Sequence, residues 1–357
     1  MEHSTQAYRF ATALLAAGLA FAGVKANAQT GHANADDVSA VRVHIDNDLF
    51  AGRERDRDYT GGFAATLSGD AARDGLLSLD PALARVDRLF VDANAPTVHH
   101  ARQAGLMVFT PGDTQTAAAV IGDRPYASLI FVSNGRMYVD ESGRDAWFSS
   151  VSVGVLGLTL AERIHNVIHD AMGSERPRGY DHQVSAGGEP TARYTLARQR
   201  LLVADPSGAL DVKTTVQGSV GYLTEASAAI SMRLGRFDTP WWGFAPELTD
   251  YIAAPVPVAP ERARPHDAPS ELYFFAGARI EARAYNALLQ GQFRDSEVTY
   301  SYDEIEPIVA QAWIGVVTQI FAQTQLSYTL NYQTAELREG EGARSSIWGG
   351  VQLAHAF

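Results

Sequence analysis

The stretch from Phe274 to Ala284 constrains this chain more than any other. Phe274, Ala276, Ala278, Ile280, Ala282 and Ala284 occupy one side of a two-residue alternation, and Gly277, Arg279, Glu281 and Arg283 occupy the other. A soluble sheet buries its apolar side and gives its charges to water. Three charges on a face that must turn inward, opposite an apolar face with nothing to cover it, fit the inverse arrangement, in which lipid lies outside and a polar lumen inside. From Gln325 the pattern repeats, with Leu326, Tyr328, Leu330 and Tyr332 on one face and Ser327, Thr329, Asn331 and Gln333 on the other.

Strand-like segments extend this pattern along the chain: 41–50, 58–67, 104–110, 122–138, 147–156, 192–203, 215–223, 226–234, 272–283, 297–302, 308–320 and 325–334, followed by a terminal strand ending in Phe357. Ile347, Val351, Leu353 and Phe357 share one face of that last strand, the form in which an outer-membrane barrel commonly ends. The expected fold is all-β: a transmembrane antiparallel β-barrel of about twelve strands, an even number being the rule for such barrels. The N-terminus carries Arg9, an apolar run from Phe10 to Val24 and the small residues Ala26-Asn27-Ala28, which read as a signal peptide over 1–28, leaving 29–357 as one barrel domain. No later run is long and apolar enough for a membrane-spanning helix. The chain has no cysteine, which excludes disulfides, thiolate metal sites and a lipoprotein anchor. A net charge of -12 argues against nucleic-acid binding and suits divalent cations. Five prolines between Ala253 and Pro269 predict an irregular loop outside the membrane, and Trp241, Trp242 and Phe244 before it suggest an interfacial belt.

One segment is patterned differently. From Thr159 to Met172, Leu160, Ile164, Val167, Ile168 and Ala171 recur at helical spacing. Thr159 and Glu162 have capping-box spacing, and Gly173 and then Pro177 end the helix. The apolar stripe is expected to pack on the barrel's extracellular end. His165 and His169 lie one turn apart at its edge, with Glu162 close to the same line. Elsewhere, polar clusters sit where strands meet loops, at Asp46-Asn47-Asp48 and Asp58-Tyr59-Thr60, facing each other across a predicted hairpin. Asp123 and Arg124 are expected to pair with each other or to cap a turn.

Taken together, Asp46-Asn47-Asp48-Leu49-Phe50, Asp56-Arg57-Asp58-Tyr59-Thr60-Gly61-Gly62, Thr110-Pro111, Gly122-Asp123-Arg124-Pro125-Tyr126, the run from His169 to Gly173, Pro177-Arg178-Gly179-Tyr180 and Gln183 resemble the outer-membrane lipid A 3'-O-deacylases of the LpxR type. The motifs run in family order. The resemblance implies a twelve-stranded barrel in the bacterial outer membrane, an active site between the barrel wall and a loop helix, and calcium-dependent removal of the 3'-acyloxyacyl chain of lipid A. It places the essential histidine on His169, the Asn-Asp pair on Asn47 and Asp48, the motif hydroxyl on Thr60 and the acidic residue after the helix on Glu175. Two positions depart from the pattern. His165 stands where the family often has Gln, and residues 111–118 lack the Lys-Arg pair that some members carry.

The chemistry expected from these residues is ester hydrolysis. His169 would activate water, Asn47 and Thr60 would orient it or the carbonyl, and a calcium ion on Asp48, with Glu175 as a further ligand, would polarise the ester. Glu175 could instead orient the histidine. Three alternatives stand beside this one. His165 and His169 with Glu162 or Glu175 could hold zinc; the barrel could be a non-catalytic pore or adhesion platform; or a Ser-His pair could act as a phospholipase, although no serine stands out for that role. The expected partners are lipid A and the lipids of the outer membrane, with the protein acting as a monomer.

Overall fold

The computed structural model describes residues 40–52, 57–74, 78–91, 97–173, 175–205, 208–248, 251–256, 270–321 and 323–357, so the signal segment lies outside it. Twelve antiparallel strands close into a barrel in which every neighbour in sequence is a neighbour in space, and the last strand closes on the first. They are β1 (Ala40–Asn47), β2 (Asp58–Ser68), β3 (Thr97–Thr110), β4 (Ala127–Val139), β5 (Asp145–Leu156), β6 (Glu189–Ala204), β7 (Leu210–Gly221), β8 (Leu223–Arg236), β9 (Leu272–Asn286), β10 (Ile308–Phe321), β11 (Thr324–Gln333) and β12 (Ser346–Ala356). Closure leaves no edge strand, so the wall's carbonyls and amides find ladder partners, away from a few register shifts, in a medium that offers none. Among the described residues four α-helices accompany them: α1 (Asp70–Asp74), α2 (Asp80–Asp87), α3 (Thr159–Met172) and α4 (Ala287–Gln290).

The inverted patterning holds around the wall. Val216, Val220, Ile230, Leu234, Phe274, Ile280 and Ile314 are exposed on the outside, as lipid contact requires. Inside, Arg279 and Arg283 both pair with Glu281, Arg283 and Arg193 both pair with Glu225, and Glu336 takes Arg283 and Arg124. Each of these three carboxylates thus has two cationic partners, which offsets the cost of removing it from water.

Ala40 pairs with Ala356, so both ends of the barrel chain lie at one rim. The short turn 140–144 also lies there, which with the two chain ends marks that rim as periplasmic and the opposite one as extracellular. Two expectations fail at the periplasmic rim. Within the connection after β8, the described residues 237–248 and 251–256 turn into the lumen. Trp241 packs with Met137 and Phe148, Phe244 with Tyr273 and Phe275, and Trp242 stacks on His99 at 4.1 Å. These aromatics are buried inside the barrel rather than at a membrane interface, because the inward faces of β3, β4, β5 and β9 give them apolar partners. Ala253 to Val256 follow them in: the Ala253 amide donates to Gln103, Arg42 donates to the Ala254 carbonyl and the Val256 amide to Ser68. The rest of the proline-rich loop lies outside the described residues.

The segment 297–302 is also not a strand. It forms a turn and a short 3-10 helix, Tyr302–Glu304, capped reciprocally by Ser301 and Glu304. The third strand starts at Thr97, seven residues before the expected point, and α1 and α2 have no counterpart in the sequence reading.

Candidate functional site at the extracellular rim

β1 and β2 pair with Asp46 opposite Gly62 and Asn47 opposite Gly61, so the two polar clusters do face each other across a hairpin. Alternation then divides their side chains. Arg42, His44 and Asp46 point into the lumen, and Asn47 points to the outer face. The Asn47 carbonyl oxygen of the side chain accepts from the Leu49 amide at 2.8 Å, capping the 3-10 turn Asp48–Ala51, and its amide donates to the Thr60 backbone carbonyl at 2.9 Å. Asp48 is 1% exposed and accepts from the Arg57 amide at 2.8 Å. A register shift between Tyr59 and Gly61 brings Thr60 to the outer side, where its hydroxyl meets that of Thr110 at 2.6 Å. Asp58 opens β2 in the left-handed region, φ 64°, a conformation strained for a non-glycine residue. Arg344 holds it there, pairing with both carboxylate oxygens and reaching Asp123 with its remaining nitrogen. Half-burial lowers the Arg344 pKa, but the two carboxylates outweigh it and hold the group above its ordinary value. Asp123 is structural, accepting from the Gly112 and Arg124 amides, while the Arg124 guanidinium turns to Glu336 instead of to its neighbour.

Helix α3 is present with the expected bounds and ends at Gly173 in the left-handed conformation, but two of its features differ. Its N-cap is Leu158 with no side-chain cap, since Thr159 is already helical and cannot act as the capping residue. Its buried face is Ala161, His165 and His169, whereas Leu160, Ile164 and Val167 are exposed, Val167 at 67%. These three residues of the apolar stripe therefore face away from the wall, the side chains of Ile168 and Ala171 lying outside the described residues, and the histidine face is one that packs. Bulk lipid can cover an apolar stripe at no cost, whereas histidines need polar partners, and the loop supplies them. His165 Nδ1 lies 2.7 Å from the Tyr180 hydroxyl, and His169 Nδ1 lies 2.6 Å from the Glu175 backbone carbonyl. The two rings meet edge to face at 4.4 Å. Glu175 serves His169 through its main chain, and its side chain is exposed.

Two tyrosines and the β3–β4 loop join the helix to the wall. Tyr180 packs on Tyr126 at 4.7 Å, and both lie against Val108 on the outer face of β3. Gly179 is required here because a Cβ would meet the Tyr126 ring at 2.5 Å. The Thr114 carbonyl accepts from the Arg178 amide and the Tyr126 hydroxyl, and Gln183 accepts from Ser128. The histidine group and the Asn47–Asp48–Thr60 group are thus two clusters on one outer rim, connected through β3 from Thr110 to the 111–126 loop.

Among the described residues no three His, Asp or Glu side chains converge as a metal-ligating group. His165 and His169 leave Nε2 for other partners, but neither Glu162 nor Glu175 joins them in such a group among the described residues. Calcium is less demanding, because carbonyl and water oxygens complete its shell. Asp48, a buried carboxylate beside a 3-10 turn, is a donor of the right type for it.

Sequence reasoning missed a lumen cluster directly behind this rim. Tyr251 donates to Asp46 at 2.7 Å, Tyr59 donates to Tyr251 at 2.8 Å, and His44 lies 2.6 Å from Asp46 and stacks on Tyr251. Asp46 and Tyr59 stand in the recognised motifs, but Tyr251 arrives from the connection after β8, the plug of the lumen, and carries no local signal.

The fold is that of LpxR from Salmonella typhimurium, with a TM-score of 0.66 and 16% identity over 89% of this chain and 100% of that one. The β domain of the Bordetella autotransporter BrkA is also similar, at TM-score 0.42 and 9% identity over 90% and 99%. No curated protein sequence matches the chain. A family model described as outer membrane protein LpxR matches residues 11–357, and the chain, a closed twelve-stranded outer-membrane barrel with its polar motifs gathered at one rim, belongs to that family.

Proposed function

We propose that the protein is an outer-membrane carboxylic ester hydrolase that removes the 3'-linked acyloxyacyl chain from lipid A, with His169 as general base. One observation carries the reading. A backbone carbonyl can only accept, so the Glu175 contact fixes the proton on His169 Nδ1 and makes Nε2 the accepting nitrogen, the tautomer that a water-activating base needs. His165, set edge-on against His169 and bonded to Tyr180, limits the ring's rotation. Thr60 and Asn47 supply a hydroxyl and an amide to orient the ester carbonyl or the water. A calcium ion held by Asp48 with rim carbonyl oxygens would supply Lewis-acid polarisation of that carbonyl.

Mass spectrometry of lipid A from cells with and without the protein tests this. Wild type in calcium-replete medium should release the chain, and His169→Ala should reduce release by about 10² or more while the barrel still assembles. Asp48→Ala or calcium chelation should abolish it. Unchanged lipid A with folded wild type would refute the reading.

A further inference from the structure

Register places the outward side chains of β3 to β6 in horizontal rows. Leu106, Ile130, Val155 and Pro190 form one row, and Ala104, Val132, Val153 and Ala192 form the next towards the periplasm. Both are wholly apolar. Above them the wall is covered by the candidate site, where Val108 lies under Tyr126 and Tyr180, and Ser128 bonds Gln183. Below them the wall turns polar although it faces outward. Arg102, Asn134, Val151 and Tyr194 form the third row, and His100, Arg136, Ser149 and Leu196 the fourth.

Such a face cannot meet hydrocarbon, and it does not. The connection after β2 folds back onto the outside of the barrel and satisfies it. Asn134 accepts from the Leu79 amide, Asp80 lies 2.7 Å from His100, and Asp87 accepts from Tyr138, Ser149 and Tyr194. The far side of this unit is apolar, with Val86, Leu89 and Phe90 exposed, and Phe90 approaches the Tyr194 ring at 6.4 Å. The α1–α2 unit is therefore a ledge about 10 Å deep standing off the wall. Helix α3 stands off the same wall above: Leu158, its N-cap, and Val155 of the upper row both lie within 3.3 Å of the position a Gly188 Cβ would take. Between the two ledges the wall from Val108 to Arg102 spans about 20 Å along the strand, and the two apolar rows at Leu106 and Ala104 form the strip in its middle.

We propose that this strip is a slot for one acyl chain of the substrate lipid, and that the α1–α2 ledge, through Tyr194 and Phe90, is the stop that sets the chain length accepted. The assignment rests on the hydrolase reading above. Continuity favours an acyl chain as the occupant: the strip belongs to the lipid-facing wall, and its upper end meets Val108 beneath Tyr180, whose hydroxyl bonds His165. An ester positioned at His169 would direct its chain down the rows until it met Tyr194.

The test uses the full-length protein in lipid A-type substrates of graded acyl-chain length, with electrophoretic heat-modifiability as the check on folding. The ratio of long-chain to short-chain release is read for wild type, for Tyr194→Ala with Phe90→Ala, and for Ala104→Phe. Removing the stop should raise that ratio by about tenfold or more, and filling the strip should lower it comparably. Val216→Ala, which loses apolar area on the lipid face of β7, should leave it unchanged. A profile that does not move in either slot variant means that bulk lipid fills the strip without selection, and overturns the slot while leaving the hydrolase intact. Release of no chain of any length by folded wild type overturns both.

Discussion

At the scale of single residues, the rim depends on which side of the wall each side chain meets. Asp46 and Asn47 are adjacent, yet one anchors a lumen cluster and the other caps a turn on the outer face. Gly62 lies between these environments, and a Cβ there would meet the hydroxyls of Tyr251 at 2.0 Å and Tyr59 at 2.4 Å. Gly62→Ala should therefore force the plug away from β1 and lower stability by about 1–3 kcal/mol, read as an earlier urea-unfolding midpoint; an unchanged midpoint would show that Tyr251 gives way freely. Residue types at the site were legible in the sequence because the motifs keep chemistry-bearing groups together. Their directions were less so. Thr60 reaches the outer face only through a register shift, and Glu175 contributes a carbonyl where its side chain drew attention.

At the scale of elements, α3 shows why an amphipathic helix at a membrane is ambiguous. Periodicity located it and Gly173 ended it, but the rule that the apolar face packs inward assumes water outside. With lipid outside, the polar face carries the burden of finding partners. The loop after α3 is held by a forked contact in which Arg176 donates to both carboxylate oxygens of Asp170. That bond holds the Asp170 pKa below its ordinary value. A depressed folded pKa means that the contact is fully present above the ordinary aspartate range and is lost as pH falls through the lowered value. Hydrogen exchange over 173–178 should accordingly quicken only in acid for wild type, and already at neutral pH for Arg176→Ala; equal protection in the two would show that the fork does not hold the loop. The strands were legible because each carries its own alternation. The plug and the α1–α2 ledge were not, because their residues make sense only against barrel faces far away in sequence, as Trp242 does against His99 and Asp87 against Tyr194.

At the scale of the whole molecule, the barrel turns two unlike surfaces to two uses. Its lumen holds the segment after β8 and a ladder of alternating charges, with a chamber of about 100 Å³ near Tyr251, Arg283 and Trp348 among the described residues. Its outer wall carries the candidate chemistry. Reconstituted in planar bilayers, the protein should therefore pass almost no current, whereas deleting 240–256 should yield discrete openings; steady conductance by wild type would revive the pore reading. The ledger of the two surfaces also bears on the cell that makes the protein. Because the candidate site lies on the outside of a corked cylinder, abundant expression should leave the permeability barrier to small antibiotics and dyes intact, so that an envelope carrying many copies does not leak through them.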